Sequence, residues 1–138
     1  MSTGEGTRVK YLLLIYADEQ TLSDTERAQC YGESLALAHE INAAGQYRAA
    51  APLYPTSTAT SVRLREGKRL VTDGPFAETR EQLGGFFMID ASDLDEAIAI
   101  AERLPMASRG TIEVRPVVEL PGLPKPVREQ EPETQCDS

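Results

Sequence analysis

Between Leu70 and Asp90 the chain reads LVTDGPFAETREQLGGFFMID, and Asp73-Gly74-Pro75-Phe76 are the residues there whose types could do chemistry. A carboxylate at a strand end that faces a pocket can serve as a general base, the more so where partial burial raises its pKa. Gly74 would let a ligand approach the backbone closely, and Pro75 would hold the loop rigid. The same residues also make an ordinary turn, in which Asp accepts local amide hydrogen bonds. Both readings of Asp73 stay open. Phe76 either stacks on an aromatic ligand or anchors a seam between subunits.

Four other positions could complete a site. His39, the only histidine, has the intrinsic pKa of a general acid or base, yet its place on a helix flank also suits a surface residue. Ser34 and Asn42 fall within an apolar stripe at helical spacing, where polar groups need partners and so either line a cavity or bond to nearby backbone. Arg115 could bind a carboxylate or neutralise Asp73; otherwise it is an exposed strand residue or pairs with Glu113 or Glu119 of a neighbouring chain. No strained elbow or oxyanion hole accompanies Ser34, so a Ser34–His39–Asp73 triad is not expected. Glu78, Arg80 and Glu81 read as a solvated, mutually paired run. Neither HxxxH nor CxxC spacing occurs, and no metal site is expected. Gly84-Gly85 removes side chains where a ligand, a bulge or a partner subunit comes close, but it lacks the spacing of a phosphate loop.

The elements that must position these residues are legible in the pattern. VKYLLLIYA, residues 9–17, is nearly continuous in apolar residues, as in a central strand buried on both faces. Ser23-Asp24-Thr25-Glu26 is a capping box opening a helix over 24–44, with Ala28, Tyr31, Leu35, Ala38 and Ile41 on its apolar side and Gly45 ending it. Residues 46–54 form a strand bounded by prolines, and SVRLREGKRLVT forms a hairpin about Glu66-Gly67. Pro75 suits the first position of a short helical turn. Residues 83–91 form the next strand. Ser92 caps a second helix carrying Leu94, Ala97, Ile98, Ala101 and Leu104 on one face, which Pro105 stops. Residues 111–120 are the last strand, and Pro116, with no N–H to donate, puts it at a sheet edge.

The order β-α-β-(hairpin)-β-α-β fits an α+β, ferredoxin-like split βαβ sheet with an inserted hairpin, both helices on one face and the last strand at an edge beside the first. The bare face must be covered, and a second copy is the simplest cover, so a homodimer with its sheets face to face is expected. The domain spans 8–120, and the Pro-rich acidic stretch 121–138 reads as a disordered tail.

Composition narrows the partners. The 138 residues carry a net charge of −8, of which −2 falls in the tail and −6 in the domain. No cation cluster is present to displace counterions from nucleic acid, and an acidic surface disfavours anionic membranes. With Cys30 in a helix and Cys136 in the tail, no disulfide framework is expected. A polar N-terminus without an apolar signal segment points to the cytoplasm.

The DGPF segment, KYLLLIYADE, LDEAIAIAERLP and GTIEVRPV together resemble the YCII-related family, in its DGPF-containing branch, over roughly residues 9–118. The resemblance implies a dimeric α+β barrel. Some members of the family look like enzymes using a His–Asp pair in a pocket, and many DGPF-type members are encoded beside extracytoplasmic-function sigma factors. The position matching the family's helix histidine is Ser34 here, with His39 about a turn later. The expectation is a cofactor-free small-molecule-binding dimer with acid–base chemistry near Asp73. Ser34, Gly74, Phe76 and Arg115 would contact the ligand, and His39 would assist. The alternative is a non-catalytic regulatory module with a protein partner in a sigma-factor or stress system.

Overall fold

The computed structural model describes residues 8–125. The expected tail beyond Lys125, with Cys136, lies outside them. Six strands and two α-helices follow the expected order: β1 Val9–Ala17, α1 Asp24–Ala43, β2 Tyr47–Pro52, β3 Thr60–Arg65, β4 Lys68–Asp73, β5 Gln82–Ala91, α2 Leu94–Ala101 and β6 Thr111–Pro116. The main sheet has the order β2-β5-β1-β6, with every pair antiparallel. Strands β3 and β4 form a separate two-stranded sheet. The fold is thus α+β with an open main sheet, not closed into a barrel.

Alternation along the strands sorts the two faces. Tyr11 and Leu13 of β1 pair with Ile89 and Phe87 of β5, and all four are buried together with Leu37 and Ile41 of α1 and Ala97, Ile100 and Ala101 of α2. Both helices therefore cover one face. Leu13, Ile41 and Ile89 are the largest side chains fully withdrawn from water, each contributing about 1.5–3 kcal/mol. The opposite face carries Leu12, Leu14, Phe86 and Met88, all half-exposed. Tyr16 lies on that face with Glu113; burial first, and then the Glu113 carboxylate, push its phenol above the usual value.

Local chemistry explains the element ends. Ser23 Oγ accepts from Glu26 N–H while Glu26 accepts from Ser23 N–H, so both halves of the capping box are made. At the far end Gly45 has φ +76°, its N–H donates to Asn42 O, and Gln46 N–H donates to Ile41 O, which closes α1. The β3–β4 turn places Glu66 and Gly67 at φ +52° and +77°, the paired left-handed geometry that matches strand twist. Strand β6 lies at the edge beside β1 and ends at Pro116, shorter than the 111–120 expected.

Three expectations need correction. The cap of α2 is Asp93, whose carboxylate accepts from Glu96 N–H; Ser92 instead donates to Glu96 from its N–H and hydroxyl. No helical turn follows Pro75, because residues 74–81 form an irregular connection in which Thr79 Oγ1 bonds to Glu81 O. The face of α1 is also rotated: Leu37 and Ile41 enter the core, whereas Tyr31 and Leu35 stay exposed.

Candidate ligand cavity and the DGPF cleft

A second stripe on α1 accounts for that rotation. Arg27, Cys30, Tyr31, Ser34 and Ala38 recur at three- and four-residue steps, and all line a cavity of about 350 Å³ between α1 and the sheet. The strands contribute Ile15, Tyr47, Ala50, Gly84, Gly85 and Phe87, and Met106 comes from the 3-10 turn after α2. The wall is mainly apolar, with a few polar groups: Glu19, Arg27, Cys30, Ser34 and Gln82. A ligand-sized hollow of this make-up suits a small molecule whose body is apolar and whose orientation is fixed by few polar contacts.

The glycine pair shapes this wall. Tyr16 pairs with Leu83 and Ile15 with Gly85, so Gly84 is the extra residue of a β-bulge. A Cβ on Gly85 would lie 2.9 Å from Ala51 O and 3.2 Å from Pro52 Cα, so β2 passes too close for any side chain. Of the three causes considered for these glycines, the bulge and the close approach of β2 within the same chain account for them.

A second, polar cleft of about 470 Å³ adjoins the first, since Glu19 and Gln82 line both. Asp73, Gly74, Pro75 and Glu78 line it too, with Thr56 and Thr79. Glu19 bridges two turns: its carboxylate accepts from Thr56 N–H and Oγ1, both at 2.9 Å. Gln82 Oε1 accepts from Glu19 N–H and its amide donates to Thr79 O. The wall between the two hollows is thereby fixed.

Asp73 ends β4 opposite Thr60 and is exposed, so the partial burial favourable to a general base is absent. The hydrogen bonds expected of a turn-starting Asp are absent as well: none of the described hydrogen bonds or ion pairs engages its side chain. Gly74 holds this corner at φ +97°, donating from its N–H to Ala59 O at 2.7 Å and accepting from Ser61 Oγ at 2.8 Å. The Asp73 carboxylate thus lies on the lip of the cleft without a partner among the described residues.

Ser34 lines the apolar cavity, and Asp73 and Gly74 line the polar cleft. His39 and Phe76 are exposed and line neither hollow, and Asn42 is exposed as well. Arg115 lies on the face away from the helices, 4.0 Å from Glu113 of its own chain. Sequence reasoning missed Glu19, Gln82 and Arg27. The spacing of Arg27 with Ser34 and Ala38 was the available signal; Glu19 and Gln82 offered none. Near Cys30, Arg109 pairs with Glu26 at 3.3 Å. The Ser23 amide, and then Arg109, hold the Glu26 carboxyl below its usual range. Burial pushes the Cys30 thiol up, against an opposing pull from Arg109. Among the described residues, no three His, Cys, Asp or Glu side chains are grouped to hold a metal ion, and no helix is long and apolar enough to cross a membrane.

An open antiparallel sheet backed by two helices, with a ligand-sized cavity under the first, defines a small α+β domain with a candidate binding site. The chain belongs to the YCII-related family: the model of the YCII-related domain matches residues 9–121. It is also 40% identical over 112 residues to an uncharacterised protein of Rhizobium meliloti (strain 1021), covering 78% of this chain and 90% of that one.

Proposed function

We propose that this protein, of the DGPF-type branch of its family, is a cytoplasmic small-molecule-binding homodimer. The apolar body of its ligand lies in the cavity under α1 and its polar end in the cleft beside Asp73. The observation that carries this reading is the pair of adjoining hollows, one mainly apolar and one polar, joined at Glu19 and Gln82. The catalytic form of the reading is cofactor-free and assigns the base to Asp73, with Ser34 a polar contact inside the apolar cavity; His39 and Arg115 stay outside it. The main sheet is a ferredoxin-like unit in this reading. Its half-exposed Leu12, Leu14, Phe86 and Met88 favour a second copy packed face to face, giving a dimeric α+β barrel.

The test is a thermal-shift screen of small polar and aromatic metabolites on wild type, Asp73→Asn and the cavity-filling Ala38→Trp. A ligand at about 100 times its Kd stabilises by about 2.7 kcal/mol, a shift of roughly 10 °C for a domain of this size. A hit lost in Ala38→Trp and weakened in Asp73→Asn supports the reading. A folded Ala38→Trp that keeps every hit removes the cavity from the proposal, and no hit at all favours the non-catalytic interaction module.

A further inference from the structure

The β3–β4 hairpin is built as though something packs on it. A lone two-stranded hairpin is marginal in water, because it has no second layer on which to bury its side chains. Here Val62 and Val71 oppose each other across the ladder with Leu64 on the same face, and they are 66%, 51% and 67% exposed. Leu70 on the other face is exposed as well.

Charge indicates the partner. Contrary to the expectation of no cation cluster, residues 60–73 hold four cations, Arg63, Arg65, Lys68 and Arg69, against Glu66 and Asp73, so the hairpin is at +2 within an acidic chain. The whole chain is at −8, and the remaining residues therefore carry −10. None of the four hairpin cations is ion-paired with another described residue. The open face of the main sheet offers an apolar counterpart in half-exposed Leu12, Leu14, Phe86 and Met88. Its Asp90 and Glu113 are already held by Arg48 and Arg115 of their own chain, so the acidity that meets the hairpin is that of the body as a whole. Nucleic acid is the poorer match for these cations, since a body at −10 repels phosphate.

We propose that the β3–β4 hairpin is an arm that grips a second copy of this chain, its aliphatic face on the margin of the partner's open sheet and its cations turned to the partner's acidic body. Each copy carries both halves of the contact, as a two-fold interface requires. The identity of the partner rests on the homodimer reading above. Attraction between a basic arm and an acidic body speeds encounter and weakens with salt.

The experiment measures the dimer Kd by sedimentation at low and high salt for wild type and two variants. The first is Val62→Ser/Leu64→Ser/Val71→Ser. The second, Arg63→Gln/Lys68→Gln/Arg69→Gln, leaves the aliphatic residues in place and serves where the first fails to fold. In parallel, a mixture of ¹⁵N-labelled and unlabelled wild type is treated with a carbodiimide, which joins a lysine to a carboxylate in direct contact. The expected result is a Kd raised at least about tenfold in the aliphatic variant, the change that losing about 1.4 kcal/mol would give. The charge variant should lose salt dependence, and Lys68 should be joined to a carboxylate of the other isotope. A wild type that stays monomeric overturns both the arm and the homodimer. A wild-type dimer whose Kd and salt response neither variant changes, with no mixed-isotope link at Lys68, overturns the arm alone.

Discussion

Replacing Gly85 by alanine would set a methyl carbon 2.9 Å from Ala51 O and 3.2 Å from Pro52 Cα, both backbone atoms of β2. Ordinary contact begins near 3.4 Å, so β2 must give by about half an ångström. It cannot do so freely, because Leu53 N–H donates to Gly84 O at 2.9 Å and Pro52 is in register with Gly85. Overpacking of this kind costs about 1–3 kcal/mol. At roughly 4 °C per kcal/mol for a domain of this length, Tm should fall by about 4–12 °C. The adjacent Gly84→Ala is the control: its nearest neighbour would be Ile15 O at 3.9 Å, and its φ is not in the left-handed range. That change should stay within about 0.5 kcal/mol, or roughly 2 °C. The assay is thermal unfolding followed by circular dichroism, with urea titration to confirm an unchanged m-value. Equal losses in both variants, or a larger loss at Gly84, would refute the close approach of β2 as the reason for Gly85.

Asp73→Asn should leave Tm within about 2 °C of wild type, since the carboxylate makes no described hydrogen bond; a loss of 1–2 kcal/mol would instead restore the turn-forming role. Glu26 is held below its usual value near 4.5 by the Ser23 amide and then Arg109. Its contribution to stability is therefore present above that value and lost as pH falls through the lower folded value, so Glu26→Gln should flatten the acid limb of a Tm-against-pH curve. An acid limb of unchanged slope would count against the Glu26 contacts to the Ser23 amide and Arg109. Burial raises the Cys30 thiol above its usual value, so alkylation followed by peptide mass spectrometry should be slower at pH 8 than for a free thiol and should climb as pH passes 9. Ordinary solution rates at pH 8 would contradict that burial.

Elements with local causes were legible in the residues. The nearly continuous apolar run of β1, the Ser23–Glu26 box, the Glu66-Gly67 turn and the edge position signalled by Pro116 all have their physical reason within a few positions of chain. The cap of α2 was misread by one residue because Ser92 and Asp93 are both good caps, and which of them aligns with Glu96 N–H depends on how the helix meets β5. The α1 face was misread because its apolar residues serve two surroundings. Leu37 and Ile41 fill a solid core, while Tyr31, Leu35 and Ala38 border a hollow, and spacing along a helix cannot tell the two apart. The candidate site was half legible. Asp73, Gly74 and Ser34 were picked out by residue type, but Glu19 joins them only because the turns at Glu19–Thr21 and Thr56–Thr58 meet in space. His39 was picked out by its intrinsic chemistry, but spacing did not show that it is exposed and lines neither hollow.

The most direct test of ligand binding under α1 uses Cys30, which lines the cavity, as a reporter. The alkylation rate of Cys30 is measured by peptide mass spectrometry at pH 9, with and without a saturating amount of the strongest thermal-shift hit. Occupied cavity should slow Cys30 at least about tenfold, the protection expected when binding excludes the reagent from all but a small open fraction. A hit that stabilises the protein while Cys30 reacts at its original rate would place the ligand elsewhere and contradict the cavity as the site.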